Sequence, residues 1–139
     1  LITVAWDRNV VYETARECPL PSVTLIRPEV MNALHSPAPF ELDQVFNEFA
    51  ADPSQWVAIV TGAGDKAFSA GNDLAGIAGG VESPKPSFQS ETIELLANLP
   101  QPVVSAVHGH CYTGALELAL AGDLIIAAQS ARFGATHSK

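Results

Sequence analysis

The sequence predicts a mixed α/β fold, and three kinds of segment carry that prediction. Uninterrupted apolar runs closed by glycine, such as WVAIVTG at 56–62, are typical of strands buried on both faces. Apolar residues spaced three and four positions apart, as in APFELDQVFNEFA at 38–50, indicate a helix with one apolar face. A strand, a glycine and a helix follow one another at 57–76 and again at 103–121, which predicts a weak internal repeat.

The other elements follow from the same patterns. The segment ITVAW resembles a strand, whereas VVYETARECPLPS at 10–22 fits neither pattern and stays unassigned. The helix at 38–50 places Leu42, Val45, Phe46 and Phe49 on its apolar face. Further strands are predicted at 22–28, 102–109, 123–128 (buried on both faces) and 131–135, and further helices at 87–100 and 113–122, with Gly122 as the C-terminal cap of the last.

Composition limits the possible functions. The 139 residues suit one domain, 1–139, and the 16% charged share is well below the usual ~25%. The net charge of −8 with seven basic residues argues against nucleic acid and anionic membranes as partners. Glu117 and Asp123 interrupt the most apolar region, so it does not predict a membrane span. Two distant cysteines and no signal-peptide pattern favour a reducing, cytoplasmic location.

Glu117 lies in ALELALA, among apolar residues on almost every side of the predicted helix. Burying an unpaired carboxylate costs several kcal/mol, on the order of the penalty for a buried ion, so such a group is hydrogen-bonded or used chemically. One interpretation is a thin polar face of a mostly buried helix. The other is a general acid/base whose pKa is raised by apolar surroundings. Gly114 lies on the same helix face, in the first turn, where N–H groups lack intrahelical acceptors.

A second stretch, FSAGNDL at 68–74, offers another backbone donor. Gly71 and Asn72 follow a buried strand and its loop, and the Asn72 N–H would join that of Gly114 at one oxygen. Two converging N–H groups form an oxyanion hole, worth about 3 kcal/mol per donor in known cases. The next residue, Asp73, has a structural interpretation as the cap of a following short helix.

Three separated motifs resemble the enoyl-CoA hydratase/isomerase (crotonase) superfamily in the family's order. They are RPEVMNAL (27–34), DKAFSAGNDL (65–74) and PVVSAVHGHCYTGALELALAGDLIIAAQSARFGA (102–135). The resemblance covers roughly residues 20–137. It implies a ClpP/crotonase-like spiral of ββα units, binding of acyl-CoA thioesters, and homotrimers or hexamers. Chains of this family are longer, so it also implies that their C-terminal helical part is not included here.

The same resemblance implies roles for individual residues. The backbone N–H groups of Asn72 and Gly114 would form the oxyanion hole, and Glu117 would be the first catalytic carboxylate. CoA would enter as part of the substrate, with no metal or further cofactor. The implied substrate-binding residues are Val30, Met31 and Ala33 along the pantetheine path, Ala70, Asp73 and Leu74 near the adenine end, and Thr113.

His137 departs from the family pattern. A second glutamate follows the FG pair by three residues in hydratases, and His137 occupies that position here. Histidine can also transfer a proton, or it packs beside the site without a chemical role. The resemblance thus implies a hydratase or an isomerase of fatty acid metabolism, with hydratase favoured and the acyl chain undefined.

Two other classes remain as alternatives. One is a non-catalytic acyl-CoA-binding or scaffold protein of the same fold. The other is a Rossmann-type nucleotide binder, because TGAGDKA at 61–67 matches G-x-G-x-x-A after a strand. That fingerprint must open a helix, which FSAGND would break. His108 and His110 flank Gly109 and are expected to be turn or core residues, since no third metal ligand has suitable spacing.

Overall fold

The structure is a computed structural model that describes residues 2–6, 9–15, 18–35, 37–73 and 87–136. Strands and helices are mixed along these residues, as the sequence predicts. The strands are β1 Ile2–Trp6, β2 Val10–Ala15, β3 Cys18–Leu25, β4 Ala58–Gly62, β5 Ala67–Ser69, β6 Val103–Val107, β7 His110–Tyr112, β8 Leu124–Ala127 and β9 Arg132–Gly134. The helices are α1 Pro37–Ala51, α2 Ser87–Ala97 and α3 Gly114–Ala121, with a short 3₁₀ helix at Pro28–Val30.

The described strands form two sheets. The larger has the order β1-β2-β3-β4-β6-β8, antiparallel from β1 to β3 and parallel from β3 onward. The smaller has the order β5-β7-β9 and is parallel throughout. Each of β4, β6 and β8 in the larger sheet is followed, after a short turn, by one strand of the smaller sheet. The strands of the repeat predicted at 57–76 and 103–121 are therefore confirmed, with a further short strand in each unit, whereas the helix of the first unit lies outside the described residues.

Helix α1 packs its predicted apolar stripe into the core. Leu42, Val45, Phe46 and Phe49 are all buried, which confirms the interpretation of their spacing. Burying each such side chain stabilises the fold by about 1.5–3 kcal/mol. The stripe anchors α1 beside the loop at 31–34, which borders the candidate site.

A buried carboxylate fixes the start of α1 against the N-terminal strands. Glu41 accepts hydrogen bonds from the Asn9 side chain and, at 3.0 Å, from the Val10 N–H. These bonds replace the water that the carboxylate loses on burial. The segment at 10–22, unassigned from the sequence, forms β2 and the first half of β3 in this region.

The expectation that β8 is buried on both faces was wrong. Leu124 is 54% exposed and Ile126 is 59% exposed. Strand β8 lies at the edge of the larger sheet and pairs only with β6 in the described part of the chain. An apolar run shows that both faces of a strand can be buried, but burial also requires other elements of the fold to pack against them. The short strand predicted after it is confirmed as β9, and Gly122 caps α3 as predicted.

Candidate active site

The two stretches singled out from the sequence meet directly in the structure. Gly71 has φ +87°, a backbone conformation that side-chain-bearing residues rarely adopt. A Cβ at this position would lie 2.0 Å from Thr113 Oγ1 and 2.6 Å from the Tyr112 carbonyl oxygen. Glycine is thus required at position 71 both by the backbone conformation and by the close approach of two segments of the chain, at Gly71 and at Thr113. The contact places residues 71–72 beside the start of α3.

The start of α3 has an unusual backbone. Thr113 precedes the helix with φ 52° and ψ −121°, a conformation that costs on the order of 1–3 kcal/mol. Its N–H donates to Gly134 O at 2.8 Å. The N–H groups of Leu116 and Glu117 both donate to Thr113 O, at 2.9 and 3.1 Å. The N–H of the buried Gly114 therefore precedes the first intrahelical bond, at the positive end of the helix dipole.

The loop that carries Asn72 pairs with the loop after β3. Leu34 N donates to Gly71 O at 2.8 Å, and Asp73 N donates to Leu34 O at 2.9 Å. In a trans peptide, the C=O of one residue and the N–H of the next point in opposite directions. Because residues 71 and 73 bond towards Leu34, the Asn72 N–H points to the other side of the loop.

The side chain of Asn32 ties this region together, and the sequence analysis did not identify it. Asn32 is 2% exposed and has φ 53°. Its Oδ1 accepts from Arg27 N at 3.0 Å, and its Nδ2 donates to Ala63 O and Ala67 O at 2.9 and 2.8 Å. The only sequence signal is the tolerance of asparagine for a left-handed backbone within RPEVMNAL. Asn32 therefore holds the loop after β3 against the β4–β5 turn.

Asp73 makes an ion pair with Arg27, which the sequence did not predict. Arg27 Nη1 donates to Asp73 Oδ2 at 3.1 Å and to Ala33 O at 2.8 Å. The segment that Asp73 was expected to cap lies outside the described residues. The contacts of Ala70 and Asp73 with an adenine ring stay predictions.

An apolar cavity of about 20 Å³ adjoins the start of α3. The one side-chain hydroxyl among its lining residues belongs to Thr92 and donates to Asp43 Oδ1 at 2.6 Å. Burial is the main cause that raises the pKa of the Asp43 carboxyl, and the Thr92 bond opposes it. The cavity is lined by Leu34, Pro39, Leu42, Thr92, Ile93, Gly114 and Leu118.

Glu117 lies on α3 one turn after Gly114, as predicted, and of the two interpretations of its surroundings the structure shows the thin polar face and not an apolar enclosure. Its side chain is exposed in the structure. Ala115, Leu118 and Ala119 turn towards the core, whereas Leu120 lies outward with Glu117. The helix is apolar nearly all round, so its composition did not reveal which residues face the core.

The other predicted binding residues have mixed positions. Val30 and Met31 are exposed at the loop after β3, and Ala33 is buried behind them. Leu74 and His137 lie outside the described residues. The structure therefore brings Gly71 and Asn72 to Thr113 and Gly114, with Glu117 on the same helix, and it leaves the role of His137 a prediction.

The remaining titratable groups near the site show no metal-binding arrangement. Among the described residues, no group of three or more His, Cys, Asp and Glu side chains is placed to hold a metal ion. His110 Nδ1 lies 2.8 Å from the Tyr112 hydroxyl. Burial, followed by the charge of Arg27, lowers the pKa of His35. Burial raises the pKa of the Cys111 thiol to about 11, so this cysteine is protonated near neutral pH.

The Rossmann interpretation was wrong for the described part of the chain. Gly62 ends β4, and the chain then turns into β5 instead of opening a helix. A Cβ at Gly62 would lie 2.2 Å from the Phe68 carbonyl oxygen. The glycine thus allows two strands to approach, and no helix N-terminus is available there for a pyrophosphate.

Comparisons with known proteins agree with this architecture. Residues 17–139 match the enoyl-CoA hydratase/isomerase family. Carnitinyl-CoA dehydratase of Escherichia coli K12 is 43% identical over 120 residues, which are 84% of this chain and 45% of the relative. The Citrobacter koseri protein of the same name is 41% identical over 127 residues, which are 89% of this chain and 48% of the relative.

Solved structures give the same result. An enoyl-CoA hydratase/isomerase from Xanthobacter autotrophicus Py2 matches with a TM-score of 0.85 at 34% identity, covering 94% of this chain and 49% of that one. An enoyl-CoA hydratase from Bacillus anthracis matches with a TM-score of 0.84 at 34% identity, covering 92% of this chain and 50% of that one. The architecture is thus that of the crotonase fold. The chain belongs to the enoyl-CoA hydratase/isomerase family and spans about half the length of the curated relatives it matches. In its described part, no helix is long and apolar enough to cross a membrane.

Proposed function

We propose that this protein acts on acyl-CoA thioesters as a hydratase/isomerase-type enzyme. The observation that carries the proposal is the contact of Gly71 with Thr113, which joins the loop of Asn72 to the first turn of α3. The two predicted oxyanion donors, the N–H groups of Asn72 and Gly114, come immediately after Gly71 and Thr113 in the sequence. The family membership and the similarity to carnitinyl-CoA dehydratases support a reaction that adds or removes water at an enoyl-CoA.

The thioester oxygen would accept hydrogen bonds from the N–H groups of Asn72 and Gly114. When a nucleophile or base acts at the neighbouring carbons, negative charge develops on this oxygen as an enolate forms. Removing one such donor in other enzymes lowers kcat by about 10²–10³-fold, and the helix dipole adds to the stabilisation at Gly114.

Glu117 would transfer the proton. It follows Gly114 by three residues, so about 4.5 Å of helix rise separates their backbones on one helix face. In hydration, the carboxylate takes a proton from water as the water oxygen bonds to the β-carbon. The electrons of the double bond move to the thioester oxygen, and the proton is then returned to the α-carbon. In isomerisation, one carboxylate would move a proton between carbons without adding water.

The apolar cavity beside Gly114, which at about 20 Å³ has room for about one water-sized group, would have to widen to receive the acyl chain. Leu42, Ile93 and Leu118 give it an apolar lining, which suits a hydrocarbon chain. Acid–base chemistry at a thioester needs no metal or redox cofactor, so CoA would enter only as part of the substrate. The homotrimeric or hexameric assembly and the cytoplasmic location belong to the same proposal, on the strength of the family resemblance.

Binding and turnover of the complete gene product test this proposal. Calorimetry should detect crotonyl-CoA and free CoA but not NAD, and Glu117→Gln should lower enoyl-CoA turnover by about 10²–10⁴-fold with little change in binding. His137→Gln should reduce hydration more than isomerisation if His137 supplies a second proton. Tight acyl-CoA binding with no turnover before or after Glu117→Gln would instead identify a non-catalytic acyl-CoA-binding protein.

A further inference from the structure

We propose that the ion pair of Arg27 with Asp73 is a positioning device for the backbone of Asn72. The inference rests on the proposed function, because it assigns the pair a role in orienting one oxyanion donor. Arg27 follows β3 and Asp73 follows β5, and they are separated by 46 residues in the sequence. The pair therefore joins two loops that are distant in the sequence, in addition to the backbone bonds between Leu34 and residues 71 and 73.

A single nitrogen makes both bonds of the junction. Arg27 Nη1 donates to Asp73 Oδ2 at 3.1 Å and to Ala33 O at 2.8 Å. The side chains of Arg27 and Asp73 are only 21% and 15% exposed. Because water screens the pair incompletely, it constrains the loop more than an exposed surface pair would.

The pair closes a short backbone ladder around Asn72. Leu34 bonds to Gly71 O on one side of Asn72 and to Asp73 N on the other, at 2.8 and 2.9 Å. The Asp73 side chain then extends this ladder to Arg27. Loss of the ion pair would leave the two backbone bonds in place and weaken the hold on the outer end of the ladder. The expected result is a small reorientation of the Asn72 amide while the loop stays folded.

The backbone of Arg27 does not depend on its own guanidinium. Asn32 Oδ1 accepts from Arg27 N at 3.0 Å and holds the main chain there independently. Substitution of the Arg27 side chain should therefore preserve the loop after β3. Since Asp73 neutralises the guanidinium, the pair is also a poor site for a CoA phosphate, which is the competing explanation for an arginine in this loop.

The test compares Arg27→Gln, Asp73→Asn and the double variant in the complete gene product. Each single variant should lower kcat for an enoyl-CoA by about tenfold or more, since misplacement of a catalytic group by about 1 Å costs up to about 10²-fold. The affinity of Arg27→Gln for free CoA should stay within about twofold, whereas Asp73→Asn is judged by kcat alone because Asp73 is also expected near the adenine. The kcat of the double variant should be no lower than that of the slower single variant, since both substitutions break the same interaction. Arg27→Lys should recover part of the activity, because one ammonium nitrogen can make both bonds.

Infrared spectroscopy provides a readout that stability alone would not change. The thioester carbonyl stretch of a bound enoyl-CoA should shift down in the wild type and shift less in Arg27→Gln and Asp73→Asn. Glu48→Gln and Arg132→Gln, which remove exposed charges outside the site, should match the wild type.

Five results would overturn the inference. A weaker affinity for free CoA with unchanged kcat would assign Arg27 to the substrate phosphates. Losses that add in the double variant would show that the two side chains act separately. Lower thermal stability with wild-type kcat and carbonyl shift would make the pair purely structural. A wild-type protein that binds no acyl-CoA would refute the proposed function and this inference together, whereas an active wild type with unaffected variants would refute the inference alone.

Discussion

Gly71→Ala should separate the two loops of the candidate site. A β-carbon at φ +87° costs about 1–2 kcal/mol, as for other L-residues in the left-handed region. The Thr113 hydroxyl can rotate away, but the Tyr112 carbonyl oxygen is backbone. Moving it from 2.6 Å to an ordinary contact of 3.4 Å requires a displacement of about 0.8 Å. A shift of this size at a catalytic group predicts a loss of kcat of about tenfold to a hundredfold.

The assay for this prediction is steady-state hydration of a short enoyl-CoA, with the free energy of unfolding measured in parallel. Gly64→Ala is the matched control, because Gly64 has φ +79° but a β-carbon there would meet only Pro28 Cβ, at 3.1 Å. This control should lose a similar increment of stability and keep its turnover. Wild-type kcat in Gly71→Ala would refute the argument that the close approach of Gly71 and Thr113 builds the site.

Two predictions concern the core. Phe46→Ala should lower the free energy of unfolding by about 3–5 kcal/mol in denaturant titrations, because Phe46 is fully buried; a loss below about 1 kcal/mol would contradict its place in the core. The folded state holds the proton of the Cys111 thiol more tightly than the unfolded chain does, because burial raises the pKa to about 11. The stability that this proton contributes is therefore complete below about pH 8.5 and is lost as the pH rises towards the raised pKa. Cys111→Ala should flatten this alkaline fall, and an unchanged fall would assign it to another group.

Sequence patterns predicted the helices and strands whose formation depends on residues close to each other in the sequence. The stripe of α1 was evident because residues one turn apart share a face. Strands β4 and β6 were evident from apolar runs that end at glycine. By contrast, β5 and β7 are three residues long each, and they exist as strands because they pair with each other. No local pattern in these two segments distinguishes them from turns.

The candidate site shows the same contrast between features set by nearby residues and features set by residues distant in the sequence. The sequence predicted backbone donors at Asn72 and Gly114 from local signals, a glycine and a helix start, and their role as donors stays a prediction. It missed the pair of Arg27 with Asp73, whose partners are far apart along the chain. It also left open whether Glu117 is exposed or enclosed, because the exposure of a residue on an all-round apolar helix is decided by which neighbours pack against that helix.

The position of the site follows from the repeat. Strand β5 runs parallel to β7, with Ser69 opposite Cys111. Parallel strands end at the same edge of their sheet, so the residues immediately after each strand meet there. Those residues are Gly71 and Asn72 in one repeat, and Thr113 and Gly114 in the next. A single unit could supply only one of the two donors, and the contact of Gly71 with Thr113 fixes the spacing between them. The candidate oxyanion hole is therefore a property of two adjacent repeats, although its residues lie in separate motifs.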